Sequence, residues 1–245
     1  MIRLLQSSLA GLSLTLLILS SLGFRNHTIP RLSIVKKINT RVAEPSDFIF
    51  TNDEQGYYMV SDQGYLFQTD LQGRVLRQAA HAGVDFESLC MDAQWIYVCD
   101  ERTRRVLAYD KQDLHFHHQV EVPCGGASNE GYEGFTYNSK QHCFLLGKEK
   151  NPVMLVEFNT DLHKGKEIPL PGISDLSSLT YFHDHLYVLS DEDQQVFKLD
   201  PETYSVLESW KIPITNPEGI CFDAQGHLFI LSDKDQQLYQ VSLTQ

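Results

Sequence analysis

Tyr132-Glu133-Gly134-Phe135-Thr136 opens a segment whose next apolar run ends at Leu146-Gly147-Lys148, followed by a third run, Met154-Leu155-Val156-Glu157-Phe158. The same three-part pattern occurs four more times. The other openings are Pro45-Ser46-Asp47-Phe48-Ile49, Phe86-Glu87-Ser88-Leu89-Cys90, Leu176-Ser177-Ser178-Leu179-Thr180 and Pro217-Glu218-Gly219-Ile220-Cys221. The other second runs end at Val60-Ser61-Asp62, Val98-Cys99-Asp100, Leu189-Ser190-Asp191 and Leu231-Ser232-Asp233. Each run is short, β-branched or aromatic, and bounded by Asp, Asn or Gly, which reads as strands and hairpins. A period of about 40–45 residues made only of strands is that of a four-stranded propeller blade. After the first 24 residues no window keeps apolar residues at helical spacing.

A fourth strand fits at Val75–Gln78, Phe116–Val122, Lys166–Leu170 and Val206–Ile212, but the last repeat reaches Gln245 with only three. Leu32-Ser33-Ile34-Val35-Lys36-Lys37-Ile38, ahead of the first opening, supplies the missing one. Pairing it beside the last blade removes two exposed sheet edges. The fold expected is therefore all-β: a five-bladed β-propeller over residues 31–245, closed by an N-terminal strand.

Leu4 to Phe24 carries no charge, with Arg3 before it and Arg25 after it. Residues 1–24 read as a signal peptide or an N-terminal membrane anchor, and 25–30 as a linker. Either places the chain in the cell envelope, periplasmic or membrane-anchored, touching membrane only through this segment. Arg25, Arg31, Lys36 and Lys37 follow the segment, which for an anchor would favour a cytoplasmic C-terminal domain. The net charge of −12 argues against a nucleic-acid partner, because phosphate binding needs a basic face. Of the cysteines, Cys90, Cys99, Cys143 and Cys221 lie in apolar runs and read as buried free thiols; no C-x-x-C spacing involves them or Cys124.

First strands line a propeller's axis, so equivalent residues of different blades converge there. Glu87, Glu133 and Glu218 form one such column, completed by Ser46 and Ser177. Carboxylates gathered near an axis must bind a cation, share protons, stay hydrated or accept backbone hydrogen bonds. All-oxygen donors suit a hard ion such as Ca²⁺. A second column is expected to hold Asp62, Asp100, Asp191 and Asp233, with Glu149 beside Lys148, acting as turn caps. No G-x-S-x-G, H-E-x-x-H or P-loop occurs.

The openings Asp85-Phe86-Glu87-Ser88-Leu89, Gly131-Tyr132-Glu133-Gly134-Phe135, Asp175-Leu176-Ser177-Ser178-Leu179 and Pro217-Glu218-Gly219-Ile220, with Lys148-Glu149-Lys150-Asn151-Pro152, resemble the SdiA-regulated (YjiK-like) bacterial β-propellers, distant relatives of NHL-repeat propellers. That resemblance implies five blades behind a membrane or signal segment and a calcium site, carried here by Glu87, Glu133 and Glu218. Ser88 and Ser178 stand where the family often has Gly, and Ser46-Asp47 where it tends to have Ser-Gly. The function expected is a calcium-binding, non-enzymatic binding or scaffold module for an unknown protein or small-molecule ligand. Two alternatives stay open: a calcium-dependent hydrolase of phosphoesters or lactones, with Arg102, Arg104, Arg105, Lys148 and Lys150 as phosphate contacts, and an ion-free interaction propeller.

Overall fold

The computed structural model describes residues 28–243, all strand, turn and loop. The segment 1–24 and the start of the linker lie outside the described residues. Among those described, no helix is long and apolar enough to cross a membrane.

Among the described residues, twenty strands make five four-stranded antiparallel sheets. The first blade holds β1's successors β2 (Pro45–Phe50), β3 (Gly56–Ser61), β4 (Tyr65–Asp70) and β5 (Val75–Gln78), where β1 is Leu32–Asn39. The second holds β6 (Phe86–Met91), β7 (Trp95–Asp100), β8 (Arg105–Asp110) and β9 (Phe116–Glu121). The third holds β10 (Tyr132–Asn138), β11 (Cys143–Lys148), β12 (Met154–Phe158) and β13 (Lys164–Pro169). The fourth holds β14 (Ser178–Phe182), β15 (His185–Ser190), β16 (Gln195–Leu199) and β17 (Val206–Lys211). In the fifth, β18 (Pro217–Phe222), β19 (Leu228–Ser232) and β20 (Gln237–Leu243) are completed by β1, which pairs antiparallel with β20 from Leu32↔Leu243 to Asn39↔Gln237. The chain is a five-bladed β-propeller, closed by its N-terminal strand.

Alternation along the strands sets how blades pack. In β7, Ile96 and Val98 face the first blade while Tyr97 and Cys99 face the third. Five apolar clusters result, one at each blade interface; the one that closes the ring joins Ile38, Phe229, Leu231 and Leu238 to Phe48, Phe50, Tyr57 and Met59. A strand buried on both faces needs near-continuous apolar sequence, as in β3, whose six residues are all buried. The outer strands β5 and β13 are mostly exposed and polar or mixed. Asx side chains cap the turns leading into the outer strands: Asp70 accepts from Gln72 and Arg74 amides, and Asp200 from Glu202 and Thr203. Cys90, Cys99 and Cys221 are buried free thiols as expected; Cys143 is also free but half-buried.

Candidate functional site

Four inner strands carry a β-bulge at their opening, and in the fourth blade Ser177 holds the equivalent place just ahead of β14. In the first, second, third and fifth blades the residue between two successive ladder contacts has no partner: Pro45↔Ser61 then Asp47↔Val60, Phe86↔Asp100 then Ser88↔Cys99, Tyr132↔Lys148 then Gly134↔Gly147, and Pro217↔Ser232 then Gly219↔Leu231. In the fourth blade Ser177 donates its amide to Leu189, which already pairs with Ser178. The extra residues are Ser46, Glu87, Glu133, Ser177 and Glu218, the whole first column. A bulge releases one residue from the ladder and re-aims its side chain. Here it releases three glutamates at the same end of the ring.

The same ladders revise the second column. Ser61, Asp100, Lys148 and Ser232 are equivalent, each opposite the residue that precedes the bulge. The residue after each of them donates its amide to the carbonyl at the start of its own blade: Asp62 to Glu44, Glu101 to Asp85, Glu149 to Gly131 and Asp233 to Asn216. The true column is therefore Asp62, Glu101, Glu149, Asp191 and Asp233, an acid in every blade. Asp100 belongs elsewhere; it caps the amides of Val84 (2.9 Å) and Thr103 (3.2 Å). Two consecutive acids in the second blade concealed the register.

From these columns Asp62, Glu87, Glu101, Glu133 and Glu149, joined by Glu44 and Asp85, line a funnel of about 450 Å³, with Arg102, Asn129 and Lys150 also in its wall. Asp85, Glu87 and Glu101 each offer an oxygen within 4.8 Å of the others. Glu218 is not in this lining, but the charges of Asp191, Asp62, Asp233 and Asp175 reach it. Burial, then the negative charge of Asp62, Asp85 and Glu101, pushes Glu87 well above the ordinary carboxylate range. Burial and the charges of Glu87, Glu149 and Glu218 do the same to Glu133. Burial and its neighbouring aspartates push Glu218 up to about 8. Burial also raises Asp85 and Glu101, against the pull of Arg102 and of the Gly131 amide with Arg104 respectively.

The basic side chains nearby are committed. Arg102 pairs with Asp85 at 2.7 Å, Lys150 pairs with Glu149, and Arg104 donates to the Glu101 carbonyl at 2.8 Å. Lys148 is buried, its ammonium donating to the Lys150 and Asn151 carbonyls, and Arg105 faces Glu121 on the outer part of its blade. No ion pair among the described residues includes Glu87, Glu133 or Glu218, and no backbone amide donates to them. The donor set, all carboxylate oxygen and short of positive charge, fits a hard divalent cation.

A family model described as SdiA-regulated matches residues 28–241. The chain belongs to the SdiA-regulated family. Among solved structures it is similar to Myxococcus xanthus glutaminyl cyclase, at 14% identity and a TM-score of 0.74, covering 88% of this chain and 98% of that one. It is also similar to a streptogramin B lyase (14% identity, TM-score 0.55, 87% and 72% covered) and to the Myceliophteria thermophila Swd1 β-propeller domain (17%, 0.51, 82% and 65%). At these identities the likeness is one of fold. A shared propeller fold does not fix an activity, so the function of this SdiA-regulated propeller has to be argued from the funnel.

Proposed function

We propose that this member of the SdiA-regulated family is a calcium-binding propeller of the cell envelope, acting as a binding or scaffold module. The observation that carries the reading is the repeated bulge. It turns Glu87, Glu133 and Glu218 out of their ladders toward one acidic end, where five further acids stand in register. A divalent cation there would be held by Glu87 with Asp85 and Glu101, whose oxygens converge, and Glu133 in the same wall would add its charge. It would supply the positive charge that these carboxylates lack, and cross-link blades that otherwise repel at the funnel. The envelope location is supported by the uncharged stretch Leu4–Phe24; N-terminal sequencing of protein from cell fractions tests it, a start near Phe24 marking a cleaved signal.

The hydrolytic alternative has no observation of its own. Of its five proposed phosphate contacts only Arg102 and Lys150 reach the funnel, and both are paired with acids. Calorimetric titration of the full chain with CaCl₂ checks the proposal. Saturable binding that Glu87→Gln/Glu133→Gln weakens at least roughly tenfold is expected, in line with the loss of one charged ligand and one neighbouring charge. Equal binding by wild type and variant would place any ion elsewhere.

A further inference from the structure

The outer strands carry an irregularity of their own, far from the funnel glutamates in the ladder. In four blades the outermost ladder skips one residue at the same place. The contacts are Ile34↔Val241 then Lys36↔Gln240, Gln68↔Arg77 then Thr69↔Val75, Ala108↔His118 then Tyr109↔Phe116, and Lys198↔Glu208 then Leu199↔Val206. The residues left over are Val35, Leu76, His117 and Leu207, all exposed. A regular strand sends successive side chains to opposite faces. A bulge sets two residues against one and re-aims a side chain. In three blades the bulged residue and its successor are an apolar and a charged one: Val35-Lys36, Leu76-Arg77 and Leu207-Glu208. The second blade instead places two imidazoles there, His117 and His118. The fold therefore uses the bulge without needing the histidines.

The bulge brings the two rings together. Their Nδ1 atoms lie 2.9 Å apart, with ring centroids 5.2 Å apart and planes at 82°. Both rings stand beside Trp95, at centroid distances of 4.2 Å for His117 and 6.3 Å for His118. Trp95 is a firm base: it packs on the apolar cluster between the second and third blades, and its amide donates to Asp92 at 2.8 Å. His115, two residues earlier, lines a separate hollow with His81 and Phe116. The spacing of the two nitrogens is that of a metal chelate. Two nitrogens each about 2.0–2.1 Å from one ion stand about 2.9 Å apart at a right angle, and about 3.3 Å apart at the tetrahedral angle. The pair thus matches the right-angled ligand positions of a tetragonal or octahedral ion.

We propose that His117 and His118 form a second metal site, for a divalent transition-metal ion and Cu²⁺ above all, held by both Nδ1 atoms with water in its remaining positions. Imidazole nitrogen suits such ions, and Cu²⁺ stands at the top of the affinity order for any nitrogen site. The funnel, built of carboxylate oxygen, suits a hard ion instead, so the two sites divide by chemistry. In the ion-free pair one Nδ1 carries the hydrogen and the other accepts it. Metal binding needs both Nδ1 lone pairs, so that proton passes through solvent to Nε2 of its own ring. Both rings are exposed, which lets water carry the transfer and complete the ion's shell.

The test is titration of the full chain with the Cu²⁺–glycine complex, followed by tryptophan fluorescence and by electron paramagnetic resonance. The chain has two tryptophans, and the other, Trp210, lies in the cluster between the fourth and fifth blades. Bound Cu²⁺ should quench Trp95 saturably and show two nitrogen ligands in its spectrum. His117→Gln and His118→Gln should each weaken binding at least roughly tenfold. His115→Gln and Glu87→Gln/Glu133→Gln should leave it unchanged. Exposed substitutions of this kind leave stability nearly unaltered, so an unchanged Tm accompanies each histidine variant. A wild type without saturable quenching, or equal copper affinity in His117→Gln/His118→Gln, overturns the proposal. So does quenching that is lost in the funnel variant or in His115→Gln.

Discussion

At the scale of single residues, the funnel glutamates hold the most distinctive chemistry. Without a cation they are raised carboxyls, and the sign of their effect follows. Protonated, they cost the native state little. Above their ordinary pKa of 4.5 the unfolded chain ionises freely while the native one does not, so their contribution is complete below about 4.5 and is lost as pH rises, for Glu218 toward about 8. In EDTA the protein is therefore expected to lose roughly 1.4 kcal/mol of stability per pH unit over that range for Glu218 alone. Glu218→Gln should flatten that slope, and denaturant titrations at a series of pH values measure it; a slope of the opposite sign would mean Glu218 is ionised in the native state. With calcium present the trend reverses, since binding displaces the protons and tightens as pH rises.

At the scale of the element, the bulged inner strand is the working unit. The residue after the bulge is small in four of the five blades (Ser88, Gly134, Ser178 and Gly219), where inner strands crowd toward the axis. A β-carbon on Gly134 would lie 2.7 Å from Leu176 and Leu179 side-chain carbons, and one on Gly147 2.4 Å from Leu176. Gly134→Ala should therefore destabilise the fold by about 1–3 kcal/mol, read as a shift in urea midpoint with unchanged slope. An unchanged midpoint would mean that the third and fourth blades part more easily than this packing implies. The strands themselves were legible in the sequence, because a blade's apolar alternation is a strong local signal. The fourth strands fell within a residue or two of the expected spans, with β13 starting at Lys164 rather than Lys166. The bulge was not legible, since no residue type is diagnostic of it; Glu87 and Ser46 occupy it equally well. So Glu87, Glu133 and Glu218 could be named, while Asp85 and Glu101 were missed as their partners. Asp85 precedes the opening, and Glu101 hides behind Asp100. Only the ladder shows that Asp100 pairs with Phe86 and Glu101 turns into the funnel.

At the scale of the molecule, the ring depends on a strand that is distant in sequence from its partner. β1 spans Leu32–Asn39 against β20, and its Leu32 and Ile38 enter the interfaces on either side of the fifth blade. Ile38→Ala should cost about 2–5 kcal/mol. Removing residues through Asn39 should leave a three-stranded fifth blade and replace a single cooperative transition by a broad one in thermal unfolding. A sharp, unshifted transition in that truncation would show that β1 is dispensable. Closure was readable from the count of strands, because four complete repeats and one short of a strand leave a single place for the spare. The chemistry was less readable. The acidic end follows from a sequence column, but His117 and His118 are brought together by a bulge, where regular strand alternation would set them on opposite faces.

The most direct test of the cation funnel is thermal unfolding of the full chain in EDTA and in millimolar CaCl₂, beside Glu87→Gln/Glu133→Gln/Glu218→Gln. A ligand at about 100 times its Kd adds about 2.7 kcal/mol to the native state. The expected result is a calcium-dependent rise in Tm for the wild type, none for the variant, and a variant in EDTA that is as stable as the wild type or more so. A wild type indifferent to calcium, or a variant that keeps the full calcium response, would contradict the account.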